Sequence, residues 1–160
     1  MTYTLAWWNL ENLFDVEHST ARPEWLQRAL ANELAGWSDA VLAQKIRQLA
    51  KVICAMNNRQ GPDILGVCEV ESKGVINKLI NQLDLPGRHY GVVHADTQDK
   101  RGIDTALIYD KHRFSVDKHA VFNHVVLKRN ATRDILQATF KTNKGNEFVV
   151  IANHWPSRRG

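Results

Sequence analysis

A chain of 160 residues, 44% hydrophobic and 24% charged, has the size and balance of one globular domain. That composition excludes wholesale disorder, a collagen repeat and a disulfide scaffold, and no uncharged apolar stretch is long enough to span a membrane. The net charge of +4 is unevenly spread: residues 1–80 carry 8 Lys+Arg against 9 Asp+Glu, and residues 81–160 carry 13 against 8, with six of the seven histidines. A basic second half suits a polyanion such as nucleic acid or a phosphorylated lipid head, or simply a solvated basic surface. Cys54 and Cys68 each lie inside an apolar run. The opening MTYTLAWWNLEN lacks the basic region of a signal peptide. Together these features lead us to expect free thiols and a cytoplasmic protein.

The apolar run Tyr3–Leu10 predicts a central strand that ends in the polar cluster Asn9, Glu11 and Asn12. In it, adjacent Trp7 and Trp8 must point to opposite faces. Residues 15–37 read as an insertion with a short helix after Pro23, in which Trp25, Ala29 and Leu30 share a face. Ser38 then caps a stronger helix, because Leu42, Ile46, Leu49, Ile53 and Met56 recur at helical spacing and Asn57–Pro62 stops it. The continuous apolarity of Asp63–Glu69 predicts a strand buried on both faces. Val75, Ile76, Leu79, Ile80 and Leu83 mark another helix, closed by Pro86-Gly87. Beyond residue 88 the pattern is all strand: His89–His94, Thr105–Tyr109, Ser115–Phe122, Ile135–Thr142 and Phe148–Asn153, with a hairpin turn at Asn143–Asn146. Strand–helix alternation followed by a run of strands implies a layered α/β fold with a mixed, largely antiparallel sheet.

Three strand ends present polar groups: Asn9/Glu11/Asn12, Glu69/Glu71 and Asn153/His154. Active sites of layered α/β proteins gather at such ends, where a rigid sheet holds side chains in loops. A carboxylate there is a good ligand for a hard cation, and a histidine can move a proton near neutral pH. Taken singly, Glu69 also reads as a surface residue past a strand end and His154 as a structural histidine. His89, His112, His119 and His124 read as surface or loop residues, and His94 as the one of that group closest to chemistry.

The blocks Trp8-Asn9-Leu10-Glu11-Asn12-Leu13-Phe14, Pro62-Asp63-Ile64-Leu65-Gly66-Val67-Cys68-Glu69-Val70-Glu71, Arg101-Gly102-Ile103-Asp104-Thr105-Ala106-Leu107-Ile108-Tyr109 and Asn153-His154-Trp155-Pro156-Ser157-Arg158 follow one another in order. In this the chain resembles the endonuclease/exonuclease/phosphatase superfamily, whose DNase I-like fold packs two sheets between helices. The resemblance implies a Mg²⁺-dependent phosphoesterase, with Mn²⁺ or Ca²⁺ as alternative ions, acting on nucleic acid or another phosphodiester. It places Asn9 at the metal and phosphate site, Glu69 as the metal-binding glutamate, and Arg133 and His154 beside the scissile phosphate. Arg101, Asp104, Ser157 and Arg158 would position the substrate.

The family's later Gly-Asp-Phe-Asn-like and Ser-Asp-His-like motifs do not occur in these residues. The expectation is therefore an N-terminal half-domain with strands for about one of the two sheets, leaving an apolar face open to self-association. Three readings follow: a phosphoesterase represented by its first half, a catalytically incomplete folding or association unit, and a nucleic-acid-binding module. The last lacks a recognition helix or an aromatic-interleaved basic motif. Within the first reading a nucleic-acid substrate stands beside a phosphoinositide or sphingomyelin headgroup, since a shared fold does not choose among them.

Overall fold

A computed structural model of the chain describes residues 2–97, 101–128, 131–132 and 134–155, and only the backbone of 127, 128, 131 and 132. In chain order its elements are β1 (Leu5–Leu13), α1 (Glu24–Ala29), α2 (Asp39–Arg59), β2 (Ile64–Val70), α3 (Lys73–Asn81), β3 (Tyr90–His94), β4 (Asp104–Asp110), β5 (Phe114–His124), β6 (Leu127–Lys128), β7 (Ala131–Thr132), β8 (Ile135–Thr142) and β9 (Glu147–Ala152).

Helix α2 starts where its serine allows: Ser38 Oγ accepts the Val41 backbone N–H at 3.4 Å, and Ser72 does the same for Val75 at the start of α3. Leu42, Ile46, Leu49 and Ile53 are buried along one face of α2, which leaves helical geometry at Met56, Asn57 and Asn58. Val75, Ile76 and Leu79 of α3 are fully buried. Both helices lie on the first sheet, against Leu10, Leu65, Val67, Val70, Ala106 and Ile108.

The strands expected to supply about one sheet are divided between two. Sheet A has the order β1-β2-β4-β3, with β1 and β2 parallel and the remaining pairs antiparallel. Sheet B has the order β5-β8-β9, all antiparallel, and β6 and β7 make a small separate pair. The two main sheets face one another across Ile64, Val93 and Leu107 on one side and Phe114, Leu136, Ala138, Phe140 and Ala152 on the other. Tyr109 of sheet A and Phe140 of sheet B meet edge to face, with ring centroids 5.4 Å apart. Because β2 is covered by helices on one face and by sheet B on the other, its apolar run has no polar alternation.

The turn between β8 and β9 falls at Thr142–Asn146, with Gly145 in the left-handed region. Trp8 packs into the helix-side core, whereas Trp7 lies across Gly66 on the other face, so close that a Cβ there would sit 2.3 Å from the indole. The face presented by α1 also differs from expectation. Leu26, Leu30 and Leu34 are buried with Phe14, Trp37 and Ile103, and Trp25 is 53% exposed. Among the apolar side chains that stay exposed are Leu5 and Trp7 at the β1 edge and Phe122, Val149 and Ile151 on the outer face of sheet B. No helix among the described residues is long and apolar enough to cross a membrane. Cys68 is buried and Cys54 half-buried, and no disulfide joins them.

Candidate active site

The parallel pairing of β1 and β2 brings their C-terminal ends to the same end of sheet A, with Asn9 opposite Cys68. Both strands bulge just beyond that pair. On β1 the register slips between Asn9 and Leu13, and on β2 between Cys68 and Val70. Glu11, Asn12 and Glu69 take positive φ values of 52°, 62° and 61°. An L-residue held there costs roughly 1–2 kcal/mol, so the surroundings must hold it. Asn9 Oδ1 accepts the Glu11 backbone N–H at 2.8 Å, and Lys45 Nζ of α2 donates to the Glu11 carbonyl at 3.0 Å. The bulge breaks the side-chain alternation of β2 at Glu69 and turns its carboxylate toward sheet B.

There Glu69 meets His154, which follows the end of β9. Glu69 Oε1 and His154 Nε2 are 3.3 Å apart, with side chains 18% and 20% exposed. Asn9, opposite Cys68, belongs to the same inter-sheet face, and among the described residues its amide hydrogens make no hydrogen bond. The structure thus gathers Glu69 and His154 in direct contact and Asn9 one strand away. Asp104 stands at the same end of sheet A but on the helix-side face. There it pairs with His94 (Oδ2 to Nε2, 3.1 Å) and accepts from the Thr97 backbone N–H and hydroxyl at 3.1 and 2.6 Å. Arg101 is exposed in the turn before β4. Arg133, Ser157 and Arg158 lie outside the described residues.

Behind Glu69 the site is anchored by a group that sequence reasoning missed. Arg22, from residues 15–37, has a fully buried guanidinium and spends every N–H. Its Nε donates to Glu71 Oε1 at 2.8 Å and Nη2 to Glu71 Oε2 at 2.7 Å, with further bonds to Asp15 O, Glu17 O and Gln27 Oε1 at 2.9–3.0 Å. Glu71 Oε2 also accepts the Asp15 backbone N–H at 2.7 Å. Burial pushes the Asp15 carboxyl pKa up, but the Lys78 ammonium at 2.5 Å, the Val16 N–H and Ser19 outweigh it and hold it below the ordinary carboxylate value. A cleft of about 260 Å³ runs beside this network, lined by Arg22, Trp25, Glu71, Asp96 and Asp104 among others.

A larger cavity of about 650 Å³ lies at the opposite end of sheet A. Its wall contains Arg88, buried and ion-paired with Asp63 and Asp110, so the arginine is neutralised there. It is far from the bulges, and Glu69 and His154 take no part in its lining.

A divalent cation prefers oxygen ligands, and Mg²⁺ draws one or two carboxylates from a protein. Glu69 fits that need, being half-buried at a strand end with a neutral or protonated imidazole as its contact among the described residues. An orphaned oxygen occurs next in sequence to the expected arginine: Asp134 is 5% exposed and its Oδ1 has no hydrogen-bond partner among the described residues. His94, Asp96 and Asp104 form a further group whose ligand atoms lie within 4.8 Å of one another. Carboxylate oxygens for a hard cation are therefore available at this end of the molecule.

Comparison with known proteins gives a consistent result. The profile of the Endonuclease/Exonuclease/phosphatase family matches residues 4–160. No curated protein matches the sequence. Among solved structures, ANGEL2, described as a 2′,3′-cyclic phosphatase and seen with adenosine-2′,3′-vanadate, superposes with a TM-score of 0.63 at 12% identity over 98% of this chain and 42% of its own. The human Nocturnin catalytic domain with bound sulfate superposes with a TM-score of 0.50 at 19% identity over 72% of this chain and 44% of its own. At these identities the likeness is one of fold, and the chain spans about two-fifths of the length of those structures.

Proposed function

The chain belongs to the endonuclease/exonuclease/phosphatase family, and from that premise we propose that it is the N-terminal half of a divalent-metal-dependent phosphoesterase that hydrolyses phosphodiesters of nucleic acid or nucleotides. The observation that carries the reading is the 3.3 Å contact of Glu69 with His154 at paired bulges of β1 and β2. A strained glutamate held toward a histidine is costly for a fold that has no use for it. The solved relative described as a 2′,3′-cyclic phosphatase supports a phosphate ester of a nucleotide as the substrate class, as does the basic second half of the chain.

In this reading Glu69 holds the ion, with Mg²⁺ as the first choice, and orients the His154 ring through Nε2. When bound, the cation stabilises the negative charge that builds on the phosphoryl oxygens. His154 holds a proton at a ring nitrogen beside those oxygens and can donate it as charge develops. Asn9 offers its amide hydrogens to the phosphate. Arg133 is assigned to a phosphate oxygen, Arg101, Ser157 and Arg158 to substrate contacts, and Asp104 to holding His94 and the turn before β4. Free thiols fit a cytoplasmic location.

The test is hydrolysis of RNA, plasmid DNA and a 2′,3′-cyclic nucleotide by the wild type, Glu69→Gln and His154→Ala, with circular dichroism as the check on folding. Loss of turnover by about 10²-fold or more in folded variants supports the reading. Wild-type turnover in Glu69→Gln defeats it, and activity confined to phosphoinositide or sphingomyelin vesicles replaces the substrate class. A second reading, a folding or association unit, draws on the exposed Leu5, Trp7, Val149 and Ile151, each 48–59% exposed. A monomer by light scattering at about 100 μM argues against it.

A further inference from the structure

His94 closes β3 and Asp104 opens β4, and the two meet at the end of sheet A that also holds Glu69. Their side chains are buried, 4% and 6% exposed. Thr97 fixes the Asp104 carboxylate by donating its backbone N–H and its hydroxyl to Oδ1 at 3.1 and 2.6 Å. Oδ2 is left to face His94 Nε2 at 3.1 Å. An ionised carboxylate can only accept, so Nε2 carries the proton of that bond.

The other ring nitrogen lacks such a bond. Among the described residues Nδ1 makes no hydrogen bond, although its side chain is almost wholly buried, and Asp96 Oδ1 stands 3.8 Å from it. On a ring protonated at Nε2, Nδ1 presents a lone pair, so an acceptor faces an acceptor. The separation is too long for a hydrogen bond, which reaches only to about 3.2 Å. It suits two ligands of one ion, since nitrogen and oxygen donors each about 2.0–2.2 Å from a zinc-like metal can lie up to about 4.2 Å apart. His94, Asp96 and Asp104 are the only group of three potential metal ligands within 4.8 Å of one another among the described residues.

We propose that His94 Nδ1 and the Asp96 carboxylate bind a transition-metal ion of the Zn²⁺ class, with Asp104 as the carboxylate that orients the imidazole. Imidazole nitrogen selects such an ion over Mg²⁺ or Ca²⁺. Histidines that ligate metals commonly donate their other N–H to a carboxylate, and Asp104, itself held by Thr97, stands in that place. The Asp96 side chain is 91% exposed and can close on the ion. With Thr97 and Asp104 it lines the cleft of about 260 Å³ through which an ion would enter. Once bound, the ion ties the exit of β3 to the entry of β4. The site shares no residue with Glu69 or His154 and does not rest on the proposed hydrolysis.

The test is titration of this chain with Zn²⁺ alone, followed by calorimetry, by melting temperature and by the ring nitrogen shifts of His94 in long-range proton–nitrogen NMR. The wild type should take up an ion, melt at a higher temperature with it, and show a moved His94 Nδ1 signal with Nε2 still protonated. Asp96→Asn alters only an exposed side chain, so the fold is kept, and Zn²⁺ affinity should fall by about tenfold or more. His94→Gln should lose the same ion, and Glu69→Gln should bind it as the wild type does. Unchanged affinity in Asp96→Asn overturns the proposal, and so do His94 ring signals that stay in place at saturating Zn²⁺. A His94 ring protonated at both nitrogens that takes up no Zn²⁺ also overturns it, because a proton then fills the gap to Asp96. An ion lost in Glu69→Gln but kept in Asp96→Asn belongs to the other site, which refutes this one and leaves the hydrolytic reading standing.

Discussion

Replacing Arg22 by methionine should cost this domain a large part of its stability, although every hydrogen bond of its guanidinium goes to a residue outside the strands. The side chain fills similar length and loses the guanidinium. Glu71, whose side chain is 5% exposed, then keeps one donor, the Asp15 N–H, in place of three. The Asp15 carbonyl and the Gln27 amide oxygen lose the Arg22 N–H as well, and the Glu17 carbonyl is left with the Gln27 amide alone. Stranding one member of a buried ion pair costs about 3–5 kcal/mol. Whole domains hold only about 5–15 kcal/mol in total. The assay is urea unfolding followed by circular dichroism for wild type, Arg22→Met, Glu71→Gln and the double variant. Arg22→Lys should recover only part of the loss, because an ammonium cannot make the two-pronged contact. The double variant should be less destabilised than the sum of the single ones by about 1–3 kcal/mol, since much of each single cost is the orphaned partner. A cost for Arg22→Met below about 1 kcal/mol at unchanged denaturant slope, or strict additivity, refutes the reasoning.

Three other outcomes follow from the same geometry. Glu69→Gly should lose turnover yet keep wild-type stability or exceed it by up to about 1 kcal/mol, because glycine relieves the φ of 61°; a clear loss of stability would deny the strain. Gly66→Ala should destabilise by about 1–3 kcal/mol and alter Trp7 fluorescence, since the added methyl lands 2.3 Å from the indole; unchanged fluorescence would show that the ring does not lie there. Acid should unfold the protein partly through Asp15 and Asp110. Burial pushes the Asp110 pKa up, and Arg88 with the N–H groups of His112 and His89 pulls it lower still. Both folded values lie below the ordinary 3.8, so this stability is complete above that value and is lost as pH falls through the lower ones. Urea midpoints between about pH 6 and pH 2 measure it, and Lys78→Met should flatten the fall if Lys78 holds Asp15 down.

How much of this was legible in the sequence depended on how local the cause is. Ser38 and the Leu42–Ile53 stripe disclose α2 because a cap and an i, i+3/i+4 face are written within a few residues. The unbroken apolarity of Ile64–Cys68 disclosed a strand covered on both sides, and Lys144-Gly145 disclosed the hairpin. The division of the strands into two sheets was not legible, since β4 and β5 are nearly consecutive in sequence yet belong to different layers. Nothing in a two-residue period says which neighbour a strand takes. The sequence suggests that β1 ends near Leu10 because Asn9, Glu11 and Asn12 look like loop, whereas the strand runs on through a bulge to Leu13. The motifs single out Glu69 and His154, but the left-handed backbone that turns Glu69 toward His154 has no signature in the residue type. Hydrophobicity alone puts Trp25 on the α1 face, while the register of the buried leucines runs through Leu26. Arg22 and Asp134 escaped notice for the same reason: burial of a charged side chain follows from tertiary packing alone.

Residues 15–37 sit in the connection between the parallel strands β1 and β2, and that position gives the segment unusual licence to vary. A parallel pair requires a long crossover in any case, and the entropy of closing a connection grows only with the logarithm of its length. Nearly doubling the chain between β1 and β2, as these residues do, costs only about 0.5 kcal/mol. Arg22 and Glu71 hold this segment beside the bulges, where Trp25 faces solvent along the cleft. Lengthening, shortening or rewriting it would reshape the approach to Glu69 while leaving both sheets paired. Diversification of substrate choice thus has a place to act at almost no thermodynamic penalty, provided one arginine and one glutamate stay behind.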